Sequence, residues 1–214
     1  MIRAAIFDLD NCLAPATAVG EALFEPAFAA IRNANHGNLS EEKLETAFDE
    51  IWRHPLDWVA ERYGFTDEMR SAGWQVFQTL EVAIPMEDYG DLEALDGLGM
   101  DCYLVTSGFR KLQESKIKAL GLFRFFREMI VDGIDELDRL GKKGYFEQII
   151  ERGHLNVSEV LIVGDNADSE IAAGNDLGML TLQTLRPGVP RTNNADYHIP
   201  SLWQMKTVLE SINS

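Results

Sequence analysis

Ala4-Ala5-Ile6-Phe7-Asp8-Leu9-Asp10-Asn11 begins with an unbroken apolar run and ends in two carboxylates one residue apart. An apolar run without polar alternation predicts a strand buried on both faces, as in a parallel sheet. Asp8 and Asp10 then leave at its C-terminal end, the edge where open α/β sheets place their ligands. Two like charges this close are costly to bury, and one is driven toward protonation unless a cation neutralises them. The pair therefore points to a metal site or to a nucleophile beside a general acid. A solvated acid pair on a loop is the plainer alternative.

The same texture recurs downstream. Asp101–Val105, Met129–Val131, Val160–Val163 and Met179–Leu182 are predicted strands. Helices are predicted over Glu87–Leu98, Arg110–Leu120, Gly144–Arg152, Ser169–Leu177 and Ser201–Ile212. Such alternation implies an α/β fold, a Rossmann-like parallel sheet with helices on both faces. Between the first strand and this series the pattern is helical from about Gly20 to Leu80. Glu21–Asn33 has apolar residues at helical spacing, Ser40 caps a helix through about Trp52, Pro55 starts another, and Thr66 caps one toward Leu80. Val82-Ala83-Ile84-Pro85 reads as an extended connector, because the residue before proline avoids the helical region. The organisation expected is an α/β core of residues 1–16 and 84–214, with a small helical cap of residues 17–83 inserted after the first strand.

Composition narrows the partners. The 214 residues carry 35 acids against 19 bases, a formal net charge of −16. That field repels phosphate backbones and anionic membranes, so neither nucleic acid nor a membrane surface is expected as a partner. A small phosphorylated substrate would need a cation waiting for it. The two cysteines, Cys12 and Cys102, form no CxxC pattern and suit a reducing compartment. No basic-then-apolar leader and no long apolar span is present, so a cytoplasmic location is expected.

Three further polar clusters fall near strand ends on the Asp8 side. Thr106-Ser107-Gly108 follows the second strand, Lys142-Lys143 opens a helix, and Gly164-Asp165-Asn166-Ala167-Asp168 follows Val160–Val163. In a parallel sheet these ends converge on one rim. A hydroxyl with backbone amides can hold phosphate oxygens, and a lysine can supply positive charge. Clustered carboxylates can bind a hard cation such as Mg²⁺, and an aspartate can be phosphorylated. Taken singly, each cluster has an ordinary structural reading as a turn, a helix cap or a solvated helix start.

In this order the motifs resemble those of the haloacid dehalogenase superfamily of hydrolases, over essentially the whole chain. The resemblance implies that Asp8 is the nucleophile and that Asp10 protonates the leaving group and then activates water. It implies Mg²⁺ held by Asp8, the Asp10 carbonyl, Asp165 and a second acid. Glu170, acting through water, is the favoured second acid because it precedes Ile171-Ala172-Ala173-Gly174; Asp168 is the alternative. Thr106 would bind a phosphate oxygen with the Ser107 and Gly108 amides nearby. Lys143 is the expected phosphate-neutralising lysine, since Lys143-Gly144 resembles the phosphatase members; Lys142 is the alternative. Cys12 stands where the family has Thr or Val, which bears on packing near the metal.

An acid at position 10 separates the branches, because an alkoxide leaving group needs a proton and a halide does not. The expected activity is therefore a Mg²⁺-dependent phosphatase of a small metabolite, such as phosphoglycolate, a sugar phosphate or a nucleotide. A phosphomutase resembling β-phosphoglucomutase needs the same groups. A phospho-receiver domain or a non-catalytic binding protein is the more distant alternative. The four histidines show no ligand spacing, and GxSxG, GxGxxG and GxxxxGK[ST] are all absent. Trp52, Trp58 and Trp74 fall in the helical insertion, either as its core or facing substrate with Arg53 or His54. Arg186-Pro187-Gly188 reads as a turn near the rim, where the arginine is able to meet an anion.

Overall fold

The apolar runs form the strands that the sequence predicts. The structure, a computed structural model, describes residues 1–213. Among these, six strands make one sheet: β1 (Ala4–Phe7), β2 (Asp101–Gly108), β3 (Glu128–Gly133), β4 (Val160–Gly164), β5 (Leu180–Thr184) and β6 (Tyr197–Ile199). All neighbours are parallel and the order is β3-β2-β1-β4-β5-β6. β1 is central, with Phe7 opposite Leu104 on one side and Val163 on the other.

Helices α1 (Glu25–Asn33), α2 (Glu41–Ile51), α3 (Leu56–Tyr63) and α4 (Asp67–Phe77) lie between β1 and β2 in sequence. The remainder, α5 (Arg110–Ala119), α6 (Gly141–Gly153), α7 (Ala172–Leu177) and α8 (Met205–Ile212), belong to the α/β part. Side chains of β1 alternate between two cores, as its pleat requires. Ala5 and Phe7 pack with Leu104, Leu161, Leu182, Ile117, Met205 and Leu209. Ala4 and Ile6 pack on the other face with Val105, Ile162, Phe146 and Ile149. A third core holds Phe24, Phe28, Ile31, Phe48, Leu56 and Phe77 of the helical cap, joined by Phe109, Leu112 and Ile134 from the α/β part.

One expected element is corrected and one strand is added. The helix expected over Glu87–Leu98 is a short 3₁₀ segment, Leu92–Gly97. The residues before it are irregular because Asp91 turns inward to a buried ion pair. Arg186 donates to both Asp91 oxygens at 2.7 and 2.9 Å, and the Ser201 hydroxyl and Leu202 N–H donate to the same carboxylate, each at 2.8 Å. Burial pushes the Asp91 carboxyl up, but these donors outweigh it and hold it below the usual range. Arg186 also donates to the Cys12 carbonyl at 2.9 Å, so this pair fastens the segment that follows Asp8 and Asp10. The anion that Arg186 meets is the protein's own. The added strand is β6, Tyr197-His198-Ile199, with no apolar run to announce it.

Arg186→Met would strand a buried carboxylate. It should destabilise the fold by about 3–5 kcal/mol in urea titrations, and a loss under 1 kcal/mol would contradict this account.

Candidate active site

Asp8, Thr106 and Asp165 stand at the C-terminal ends of β1, β2 and β4, three adjacent strands where the strand order reverses. They line a cavity of about 430 Å³ between the sheet edge and the helical cap. The Asp8 N–H donates to Val163 O at 2.9 Å, which continues the ladder one residue past β1 and fixes where the side chain leaves.

Lys142 is the lysine that meets Asp8. Its ammonium lies 2.8 Å from Asp8 Oδ1 and 2.7 Å from Glu170 Oε2, with its side chain only 8% exposed. Lys143, the expected residue, instead reaches Asp176 at 3.1 Å on an exposed face. The reason is helical phase. α6 begins at Gly141, and adjacent residues point about 100° apart, so Lys142 turns onto Asp8 and Glu170 while Lys143, also at the cavity wall, turns toward Asp176. Burial works against the charge on Lys142, but Asp8 and Glu170 outweigh it and hold the ammonium above its usual range.

Glu170 lies in a single π-helical turn, Ala167–Ile171, just before α7. Such turns often mark functional positions because they redirect a side chain. Its Oε1 accepts the Asn166 N–H at 2.6 Å while Oε2 takes Lys142. This approach requires Gly164, since a Cβ there would sit 2.2 Å from Glu170 Oε1. Asp168 is exposed and accepts no part in this cluster; its N–H donates to the Asn166 side chain at 3.0 Å.

Asp8, Asp165 and Glu170 each offer an oxygen within 4.8 Å of the others. Burial pushes the Asp8 carboxyl up to about 7, with Glu170 and Asp10 adding to the rise and Lys142 opposing it. Burial, then Glu170 and Asp8, raise Asp165 well above the ordinary carboxylate range. Three buried acids against one ammonium leave a deficit of positive charge, and an all-oxygen set suits a hard divalent cation. The donor set fits Mg²⁺.

Asp10 points to a different partner. Lys116 of α5 contacts both of its oxygens at 2.8 Å, and Gln113 Nε2 donates to Oδ2 at 2.9 Å. The same Nε2 lies 2.7 Å from Thr106 Oγ1 and 3.1 Å from the Ser107 carbonyl. Gly108 gives Gln113 room, for a Cβ would come within 3.0 Å of its Cγ. The Ser107 hydroxyl donates to Asp132 Oδ2 at 3.0 Å. Fully buried Asp132 also accepts the Gly141 N–H at 3.1 Å, and so anchors the start of α6 that carries Lys142. Arg139 links this anchor to the cap, with Nη2 2.9 Å from Asp132 and Nη1 2.8 Å from Asp57 of α3.

The cap supplies Trp52, Arg53, His54 and Trp58 to the cavity wall. Trp52 stacks on Phe24 at 4.4 Å and so serves core and wall together. His54 stacks on Trp58 at 3.9 Å, and burial lowers its pKa. Trp74 packs edge-on against Phe109. Asn11, in the left-handed region at φ 57°, ties the Asp8-Asp10 loop to the cap by donating to the Trp52 carbonyl at 3.0 Å.

Gln113, Lys116, Asp132 and Arg139 were not legible as site residues. Asp132 had a signal, since it ends a strand on the same rim. Gln113 and Lys116 had only their position on the buried face of an amphipathic helix.

A family model described as haloacid dehalogenase-like hydrolase matches residues 2–178. A glyceraldehyde 3-phosphate phosphatase of Methanopyrus kandleri is 28% identical over 200 residues, covering 87% of this chain and 85% of that protein. A HAD phosphatase from Thermococcus onnurineus has a TM-score of 0.64 at 22% identity, covering 97% of this chain and 98% of the other. The magnesium-bound HAD hydrolase YfnB of Bacillus subtilis has a TM-score of 0.61 at 18% identity, covering 97% and 98%. At these identities the structural likeness is one of fold. Among the described residues, no helix is long and apolar enough to cross a membrane.

Gly164→Ala should displace Glu170 and Lys142 while leaving the sheet intact, so activity should fall at least tenfold with an unchanged circular dichroism spectrum. A second expectation concerns the cation. The Asp8 carboxyl is raised from 3.8 to about 7 on folding, so its contribution to stability declines as pH rises through that interval. Mg²⁺ competes with the proton there. It should therefore raise the melting temperature more at pH 8 than at pH 5.5, and the rise should disappear in Asp165→Asn.

Proposed function

The chain belongs to the haloacid dehalogenase-like hydrolases, and on that premise we propose that it is a Mg²⁺-dependent phosphatase of a small sugar-phosphate-like metabolite. The observation that carries the reading is the Asp8 carboxylate at the cavity floor, held by buried Lys142, with a second carboxylate, Asp10, two residues on. Asp8 attacks phosphorus and becomes the aspartyl-phosphate as the bond to the leaving oxygen breaks. Asp10 gives that oxygen its proton, then takes a proton from the water that hydrolyses the intermediate. Lys142 and the Thr106 hydroxyl balance and orient the phosphoryl oxygens, which is most of what this transfer demands. Asp8, the Asp10 carbonyl and Asp165 would hold Mg²⁺, with Glu170 acting through water because both its oxygens are engaged. Bound there, the cation supplies charge stabilisation to the transferring group.

The helical cap, taken as residues 17–83, covers the phosphoryl site and excludes bulk water. Its wall of Trp52, Arg53, His54 and Trp58 meets the leaving group. The triose-phosphate class is supported by the name of the Methanopyrus relative. A cytoplasmic site of action accords with two buried free thiols.

The test is phosphate release from glyceraldehyde 3-phosphate, other sugar phosphates, phosphoglycolate, nucleotides and p-nitrophenyl phosphate, with Mg²⁺ or chelator. Release should require Mg²⁺ and vanish in Asp8→Asn. Lys142→Ala should lose about 10²-fold or more, whereas Lys143→Ala should stay within about threefold of the native rate. The reverse ranking would sink the Lys142 assignment.

A further inference from the structure

We infer that Lys116 and Gln113 are positioning residues for Asp10, holding its carboxylate where the leaving-group oxygen arrives; this rests on the phosphatase reading above. Lys116 is 4% exposed, and the contacts of its ammonium are with the two Asp10 oxygens, each at 2.8 Å. A buried ammonium is tolerated only with its counter-charge in place, so Asp10 cannot swing away without stranding it. The geometry thus constrains Asp10 more tightly than a lone loop carboxylate would be.

Gln113 reinforces the constraint from one turn earlier on α5, where i and i+3 side chains share a face. Its Nε2 meets Asp10, Thr106 Oγ1 and the Ser107 carbonyl together, while its Oε1 is buried with no partner among the described residues. A position serving only packing would be better filled by an apolar side chain, which leaves no orphaned acceptor. The unpaired oxygen is the cost of the donations from the other end of the amide. The amide therefore joins the proton-handling group to the hydroxyl expected to hold phosphate, fixing their separation.

The two ammonium groups divide the labour. Lys142 serves Asp8 and Glu170, and Lys116 serves Asp10. Lys116 neither gains nor loses a proton in this role. In the first half-reaction the P–O bond to the leaving group breaks as the Asp8–phosphorus bond forms, and a proton that Asp10 has taken up from solvent passes to the departing oxygen, returning Asp10 to the carboxylate that Lys116 faces. In the second, a water proton returns to Asp10.

The readout is kcat/KM, which reports steps only through departure of the leaving group. An alkyl phosphate such as glycerol phosphate needs a proton at that point, and p-nitrophenyl phosphate, whose phenolate leaves readily, hardly does. Lys116→Met should lower kcat/KM for the alkyl substrate by about 10²-fold, with a loss at least tenfold smaller for the aryl one. In an Asp10→Asn background the same substitution should add less than about threefold on the alkyl substrate, because residues acting as a unit are not additive. Should Lys116→Met not fold, Gln113→Leu reports on the same ratio, since its effect through Thr106 falls on both substrates alike. Parallel losses on the two substrates, or full additivity with Asp10→Asn, would overturn the inference and leave the phosphatase reading standing. Failure of the native protein to release phosphate from either substrate would overturn both.

Discussion

Like charges gathered at the buried end of a parallel sheet are the constraint from which most of this structure follows. Asp8, Asp165 and Glu170 are all less than 8% exposed and lie within a few ångströms of one another. Left alone, such a group would protonate or force the fold open. Lys142 answers part of the repulsion, and a divalent cation would answer the rest. Keeping Lys142 there needs α6 to begin at Gly141, which Asp132 ensures by accepting that residue's N–H. Keeping Glu170 there needs the π-helical turn and a glycine at 164. The catalytic arrangement is thus a chain of local geometries, each solving the electrostatic problem created by the one before it.

Asp132 extends this logic to the cap. It binds the Ser107 hydroxyl, the start of α6 and Arg139, whose other arm rests on Asp57 of α3. Arg53 adds a second crossing, donating to the Gly188 carbonyl at 2.8 Å. These partly exposed polar contacts are individually weak and exchange readily with water. They contrast with the buried Arg186–Asp91 pair, which water does not reach. The aromatic cluster shared by the cap and Phe109 supplies the apolar side of the same junction.

The fold alone does not choose the chemistry, since likeness of architecture spans many activities. In the proposed mechanism, Asp10 and its surroundings make the choice. A carboxylate held by an ammonium and an amide has no use in releasing halide, but it suits a reaction that moves protons to and from oxygen.

The sequence by itself determined five of the six strands of the sheet and the Asp8–Asp10 loop at its rim. Uninterrupted apolar runs such as Ala4–Phe7 and Val160–Val163 have few ways to be buried except as central parallel strands, and the residues after them must then meet at one rim. The short β6 escaped because Tyr197-His198-Ile199 pairs by virtue of its neighbour, with no hydrophobic signal of its own. The helix expected at Glu87–Leu98 failed because a long-range ion pair outcompeted local propensity at Asp91. Tertiary structure alone set Lys142, and not Lys143, against Asp8 and Glu170, and it alone brought Gln113 and Lys116 to Asp10, more than a hundred residues away in sequence. Strand burial is written in runs of adjacent residues. Helical phase and contacts between distant segments depend on where each helix starts and what it packs against, and no short stretch of sequence contains that information.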